Sequence, residues 1–114
     1  MHEAAVAQDL LEVISQEARK QDARPVAAKM SCGQLNAIND EVLSFAFEAL
    51  AKGTVCEGMT LRVEHKQMQA RCDECSGTFP LSLADARCPD CGGKDFELLP
   101  DAPLVLEEIE FDKE

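Results

Sequence analysis

The chain of 114 residues has no Trp, no Tyr and only five Phe. Proteins that bind single-stranded nucleic acids stack the bases on aromatic side chains, and this composition offers little for that purpose. Basic residues are also scarce, because 11 Lys and Arg stand against 22 Asp and Glu, which gives a formal charge of −11. Such a surface repels phosphate backbones and favours cations or basic protein patches. We therefore expect no nucleic-acid partner.

The sequence also lacks a long apolar run, since no stretch approaches the roughly 20 residues that a membrane-spanning helix needs. Residues 1–18 have acidic side chains throughout and no basic start, which is unlike a signal peptide. We expect a cytoplasmic protein without membrane contact, in a compartment where thiols stay reduced.

Motifs for catalysis are missing as well. The sequence contains no glycine-rich phosphate loop, no supported Ser-His-Asp set and no helical pair of histidines for a catalytic zinc. We therefore expect a protein that is not an enzyme.

Two cysteine pairs are the strongest positive signal. Cys72 and Cys75, and then Cys88 and Cys91, each enclose two residues, and twelve residues separate the pairs. This zinc-ribbon spacing lets two tight turns supply the four thiolates that tetrahedral Zn²⁺ prefers. Such a site has no open position for water and is structural. The alternative is two disulfides, which would require an oxidising compartment.

The remaining patterns predict an α+β fold, with two helices on a small, mainly antiparallel sheet and an inserted zinc-ribbon module. Apolar spacing predicts the first helix, with Val6, Leu10, Val13, Ile14 and Ala18 on its buried face. We predict a first helix over residues 4–21 and a second that begins after Asn39-Asp40 and ends at Lys52, with strands over 25–33, 59–69 and 104–112. Residues 1–69 and 101–114 are expected to form an α+β domain, and residues 70–100 a zinc-ribbon domain.

The N-terminal Met1-His2-Glu3 segment offers a second metal chemistry. The terminal amine, the first backbone nitrogens and the His2 imidazole could form linked chelate rings around a square-planar ion such as Ni²⁺ or Cu²⁺. The alternative is an idle histidine in a solvated terminus. The residues alone leave both interpretations open.

Met1-His2-Glu3 at the start of an amphipathic helix, the segment Phe45-Ala46-Phe47-Glu48-Ala49-Leu50 and the two cysteine pairs together resemble the HypA/HybF family of hydrogenase nickel-incorporation proteins. The resemblance covers essentially the whole chain. It implies a nickel metallochaperone that delivers Ni²⁺ for maturation of [NiFe]-hydrogenase by ligand exchange. Some relatives also serve urease.

The resemblance also implies roles for particular residues. His2 is the expected principal nickel ligand, Met1 and Glu3 add nearby nitrogen or carboxylate groups, and the four cysteines Cys72, Cys75, Cys88 and Cys91 hold zinc. A HypB-type GTPase and the hydrogenase large-subunit precursor are the implied partners, and formation of a homodimer is left open.

Asp40 is a further nickel candidate, because it lies at the head of the second helix, where proteins that resemble this one can present a carboxylate towards the N-terminal site. The alternative is a structural aspartate that caps free amides and meets the helix dipole. We expect His65 to be a partly buried, hydrogen-bonded histidine that does not bind metal. Cys32 and Cys56 are expected to be small buried thiols, neither with a histidine close enough for a nucleophilic dyad.

Two other functions compete with nickel delivery. A zinc-ribbon adaptor that binds only proteins would share the cysteine pairs but have no nickel role. An iron electron carrier is the second, since the Cys88–Cys91 pair and the glycine after it resemble one knuckle of a rubredoxin.

Overall fold

The protein, in a computed structural model, is described over residues 3–35 and 38–112. Within these ranges, two helices and six strands follow one another. They are α1 (Glu3–Gln21), β1 (Arg24–Gly33), α2 (Asp40–Ala51), β2 (Thr60–Lys66), β3 (Gln69–Cys72), β4 (Thr78–Pro80), β5 (Phe96–Leu98) and β6 (Val105–Asp112).

The larger sheet has the strand order β2-β1-β6, with β1 parallel to β2 and antiparallel to β6. The antiparallel prediction is therefore wrong for the β1–β2 pair. A parallel pair needs a long crossover between its strands, and α2 supplies it. Both pairings in the smaller sheet, of order β4-β3-β5, are antiparallel. The predicted class, two helices with small sheets and a cysteine module, is confirmed.

Both helices contribute to one hydrophobic core that also includes the sheet. Side chains of α1, α2 and β1 at helical or strand spacing form its centre, namely Ala7, Leu10, Ile14, Leu43, Phe47, Ala51, Ala28 and Met30. Val13 is 47 % exposed, contrary to the prediction, because it lies to one side of the stripe through Leu10, Ile14 and Ala18. No helix in the described ranges is long and apolar enough to cross a membrane.

The strand predicted over 59–69 is interrupted. Pairing with β1 ends at Gly33 opposite Lys66, and the Met68 amide then donates to the side-chain oxygen of Gln34, 3.2 Å away. The chain turns into β3 and the small sheet, where the Phe79 and Phe96 rings meet edge to face at 5.9 Å.

The return connection from the small sheet is held at the same place. The Gly33 amide donates to the Ala102 carbonyl oxygen at 3.0 Å. A side chain at Gly33 would overlap the Asp101 carboxylate, which would have to move aside. Both connections to the cysteine module therefore meet the carboxyl end of β1.

Candidate metal centres

The four paired cysteines converge on one point. One ligand atom from each of Cys72, Cys75, Cys88 and Cys91 lies within 4.8 Å of the other three. The Cys72 and Cys91 sulfurs are 3.5 Å apart, and those of Cys75 and Cys88 are 3.6 Å apart. Four sulfurs about 2.3 Å from a central tetrahedral zinc would be about 3.8 Å from one another.

Each cysteine pair lies in a tight turn that aims both sulfurs inwards. The Cys72 amide donates to the Gly77 carbonyl and the Ser76 amide to the Cys72 carbonyl. The second turn repeats this pattern, because the Cys88 amide donates to the Gly93 carbonyl and the Gly92 amide to the Cys88 carbonyl. The second turn requires a positive φ of 75° at Gly92, which suits glycine, whereas the residue with positive φ in the first turn is Ser76.

The electrostatics of the cluster also fit a cation. Hydrogen bonds from the backbone amides of Cys75 and Glu74 lower the pKa of Cys72 to about 7. For Cys91, the Gly93 amide lowers the pKa, but contact with the neighbouring thiols and desolvation raise it more, to about 12. The thiolate form of Cys72 is therefore stabilised, whereas that of Cys91 is destabilised. A divalent cation removes that conflict, so this donor set suits structural zinc.

The two-disulfide alternative is excluded in this structure. All six cysteines are free, and the paired sulfurs are much farther apart than the roughly 2.0 Å of a disulfide. The cysteines outside the cluster, Cys32 and Cys56, are buried as predicted.

A second group of polar residues lies at the head of α2, where the sequence places nickel candidates. Asn39 is the N-cap, and its side chain accepts a hydrogen bond from the Val42 amide at 3.0 Å. The Asn39 amide donates to the carboxylate of Glu3, also at 3.0 Å. The first residues of α1 and α2 are thereby joined. Met1 and His2 lie outside the described residues.

Asp40 does not serve as the cap, because Asn39 does. Its Oδ1 instead lies 2.7 Å from Nε2 of His65. The other ring nitrogen, Nδ1, is 3.7 Å from the Cys32 sulfur. His65 is thus hydrogen-bonded, as predicted, but it is exposed and not partly buried. The expectation that no histidine approaches Cys32 is wrong.

The connection between Cys32, His65 and Asp40 follows from the parallel strand pairing. Cys32 and His65 are direct partners in the β1–β2 register, and Asp40 begins the helix between those strands. The carboxyl ends of parallel strands and the N-terminus of their crossover helix meet at one edge, where ligands commonly bind. The strand-helix-strand order in the sequence could have indicated that these three residues meet. The prediction of antiparallel strands is the reason that it did not.

Comparison with known proteins decides the family. A family model described as "Hydrogenase/urease nickel incorporation, metallochaperone, hypA" matches residues 1–111. The chain belongs to the HypA family. A "Hydrogenase maturation factor HypA" from Rhodopseudomonas palustris strain TIE-1 is 33 % identical over 113 residues, which cover 98 % of this chain and 100 % of the relative.

Other members of the HypA family agree. "Hydrogenase maturation factor HybF" of Escherichia coli K12 is 32 % identical over 111 residues, which span 96 % of this chain and 98 % of the relative. The solution structure of "the Ni metallochaperone HypA from Helicobacter pylori" matches with a TM-score of 0.63 and 24 % identity over the whole of both chains. A second solution structure, of "HypA protein", gives a TM-score of 0.70 at 24 % identity, over 100 % of this chain and 98 % of that one. These two likenesses support the fold.

Membership of the HypA family establishes the function class. The protein is a nickel metallochaperone of hydrogenase or urease maturation, and nickel is its cargo. The four-cysteine site suits structural zinc. The family assignment does not favour the adaptor without a nickel role.

Proposed function

We propose that Met1, His2, Glu3 and Asp40 form the transferable nickel site. The observation that carries this proposal is the hydrogen bond from the Asn39 amide to the Glu3 carboxylate. Glu3 begins α1 and Asp40 begins α2, so this contact brings the start of α1 to the head of α2. His2 precedes Glu3 directly.

The proposed ligands fit the chemistry of this location. Helix N-termini repel cations through their dipole, and a site there needs negative charge nearby. The carboxylates of Glu3 and Asp40 supply it. An amine, backbone nitrogens and an imidazole favour square-planar Ni²⁺.

Transfer by ligand exchange follows from the position of the site. In an exposed site, a recipient's ligands can replace the amine and the imidazole one at a time. An enclosed site would hold its nickel kinetically. The carboxylate of Asp40 is 53 % exposed, which gives incoming ligands access.

We propose separate roles for two parts of the chain. Residues 1–69 and 101–114 form the domain that binds nickel, and residues 70–100 form the zinc-ribbon domain. Both connections between them are hydrogen-bonded to residues at the end of β1, close to Cys32 and His65. Because both connections are held at the end of β1, the zinc-ribbon domain has a defined attachment to the other domain. We propose that it serves recognition of partners, while nickel binds in the α+β domain.

We further propose a HypB-type GTPase as partner and the [NiFe]-hydrogenase large-subunit precursor as recipient, in the cytoplasm and without catalysis by this chain. The maturation-factor relatives support the partners, and the free thiols support a reducing compartment. Size-exclusion chromatography of nickel-loaded protein mixed with the GTPase should show a shared peak. Separate elution at micromolar concentrations would contradict this partner.

The Asp40→Ala variant tests the carboxylate at the nickel site. We expect Ni²⁺ affinity to fall at least about tenfold, because a charged ligand is lost. The melting temperature should fall only slightly, since an acidic residue in the first helical turn contributes about 0.3–1 kcal/mol. Calorimetric Ni²⁺ titration and thermal unfolding measure the two effects separately.

Glu41→Ala is the matched control, because Glu41 is the other acidic residue in the first turn of α2. It should lose the same helix-dipole stabilisation and keep parental nickel affinity. If Asp40→Ala loses stability but keeps the Ni²⁺ affinity of the parent, Asp40 is not a nickel ligand.

A further inference from the structure

His65 joins the proposed nickel site to the interior of the protein. One ring nitrogen, Nε2, lies 2.7 Å from Oδ1 of Asp40, and the other, Nδ1, lies 3.7 Å from the Cys32 sulfur. The His65 side chain is 36 % exposed, whereas Cys32 is fully buried. The imidazole therefore bridges an accessible carboxylate and a buried thiol.

The contacts determine which nitrogen carries the hydrogen. A carboxylate only accepts hydrogen bonds, so Nε2 of His65 must donate to Asp40. In the neutral ring, Nδ1 is then an acceptor, and the Cys32 thiol donates to it. The register of β1 and β2 holds Cys32 opposite His65, so the sheet fixes the orientation of the ring.

This arrangement determines the orientation of the carboxylate. Asp40 lies in the exposed first turn of α2, where an unsupported side chain would sample several rotamers. A short bond from His65 to Oδ1 selects one of them and leaves Oδ2 for a metal. Carboxylates that ligate metals are commonly held by such outer hydrogen bonds, which are worth 10- to 100-fold in metal affinity.

We propose that His65 is a positioning residue of the nickel site, which orients Asp40 through Nε2–H and is itself oriented by Cys32. The proposal rests on the proposed function in which Asp40 ligates nickel. His65 does not contact the ion, because its Nε2 is directed to the carboxylate. Its effect on nickel binding is transmitted through Asp40.

His65→Leu and His65→Gln test the role in protein with a native N-terminus. Leucine removes the donor, and we expect Ni²⁺ affinity to fall about tenfold. Glutamine restores an N–H donor but is a poor nickel ligand, so affinity should stay within about a factor of three of the parent. Glu64→Gln is the control, because Glu64 lies next to His65 on the opposite side of β2 and pairs with Lys29.

A double-mutant cycle shows whether His65 acts through Asp40. In the Asp40→Ala background, His65→Leu should cause no further loss of nickel affinity. Nitrogen NMR of the metal-free parent provides a measurement without nickel or substitution. In the neutral imidazole of His65, it should show the hydrogen on Nε2 and none on Nδ1.

Several results would overturn the proposal. Parental affinity in His65→Leu would do so, and so would equal losses in the Leu and Gln variants. A His65 nitrogen among the ligands of bound nickel, or a neutral His65 ring in the parent with its hydrogen on Nδ1, would also contradict it. If His65→Leu loses affinity while Asp40→Ala keeps it, His65 acts without Asp40 and the proposal also fails. Nickel binding that still depends on His2 would then leave the proposed function standing.

Discussion

Replacing His2 by alanine, in protein with a native N-terminus, should weaken Ni²⁺ binding by more than about a hundredfold. The loss should exceed the 10- to 100-fold effect of outer hydrogen-bond partners, because the imidazole is the proposed principal ligand. Isothermal titration calorimetry and the absorbance of square-planar nickel measure the loss. The zinc content should remain at one ion per chain, since the cysteine cluster is a separate site.

A second variant tests the terminal amine. Adding Gly-Ser before Met1 keeps the imidazole but moves the amine away from it, so the linked chelate rings cannot form. We expect a loss comparable to that of His2→Ala. Glu12→Gln, at an exposed position further along α1, should bind nickel like the parent. If His2→Ala titrates like the parent, the proposed nickel site is wrong.

Replacing Cys88 by serine should remove zinc and unfold the zinc ribbon. The buried core of this module consists of Ala70, Cys72, Phe79, Leu81 and Cys88, so two of its five members are proposed zinc ligands. So small a core cannot fold without its metal. Zinc binding contributes about 10–16 kcal/mol in zinc-finger peptides. Metal analysis should show no stoichiometric zinc, and the NMR chemical shifts of residues 69–99 should become those of an unfolded chain.

The α+β domain provides the internal control for Cys88→Ser. Its core lies in a different hydrophobic cluster, so it should still unfold cooperatively and bind nickel. Cys56→Ala removes a buried thiol from that other core and should keep one zinc per chain. Zinc retained in Cys88→Ser would contradict the assignment of the cluster. Iron and a coloured protein in the parent would instead favour the electron carrier.

Much of the zinc site could be predicted because its information is local. Two residues between cysteines and glycines after each pair specify a tight turn wherever it occurs in a fold. The information for the second helix is equally local, since Asn39 indicates where α2 starts and the apolar spacing indicates its buried face. The paired sulfurs lie where that spacing predicts.

The second site depends on contacts that spacing does not encode. Cys32 and His65 are 33 residues apart, and Asp40 and His65 are 25 apart. Their meeting requires β1 and β2 to be parallel, with α2 crossing between them. The individual strands were visible in the sequence, but alternation of apolar residues is the same in parallel and antiparallel strands.

The sequence by itself determined the four-cysteine metal site, the two helices and the likeness to the HypA family, because each rests on residue type at short spacing. Only the tertiary structure decided that β1 and β2 are parallel and that the strand is interrupted at Gln67 and Met68. It also decided that His65 faces Asp40 and Cys32. Those features depend on how strands pair across the sheet, which is fixed by packing of the whole core.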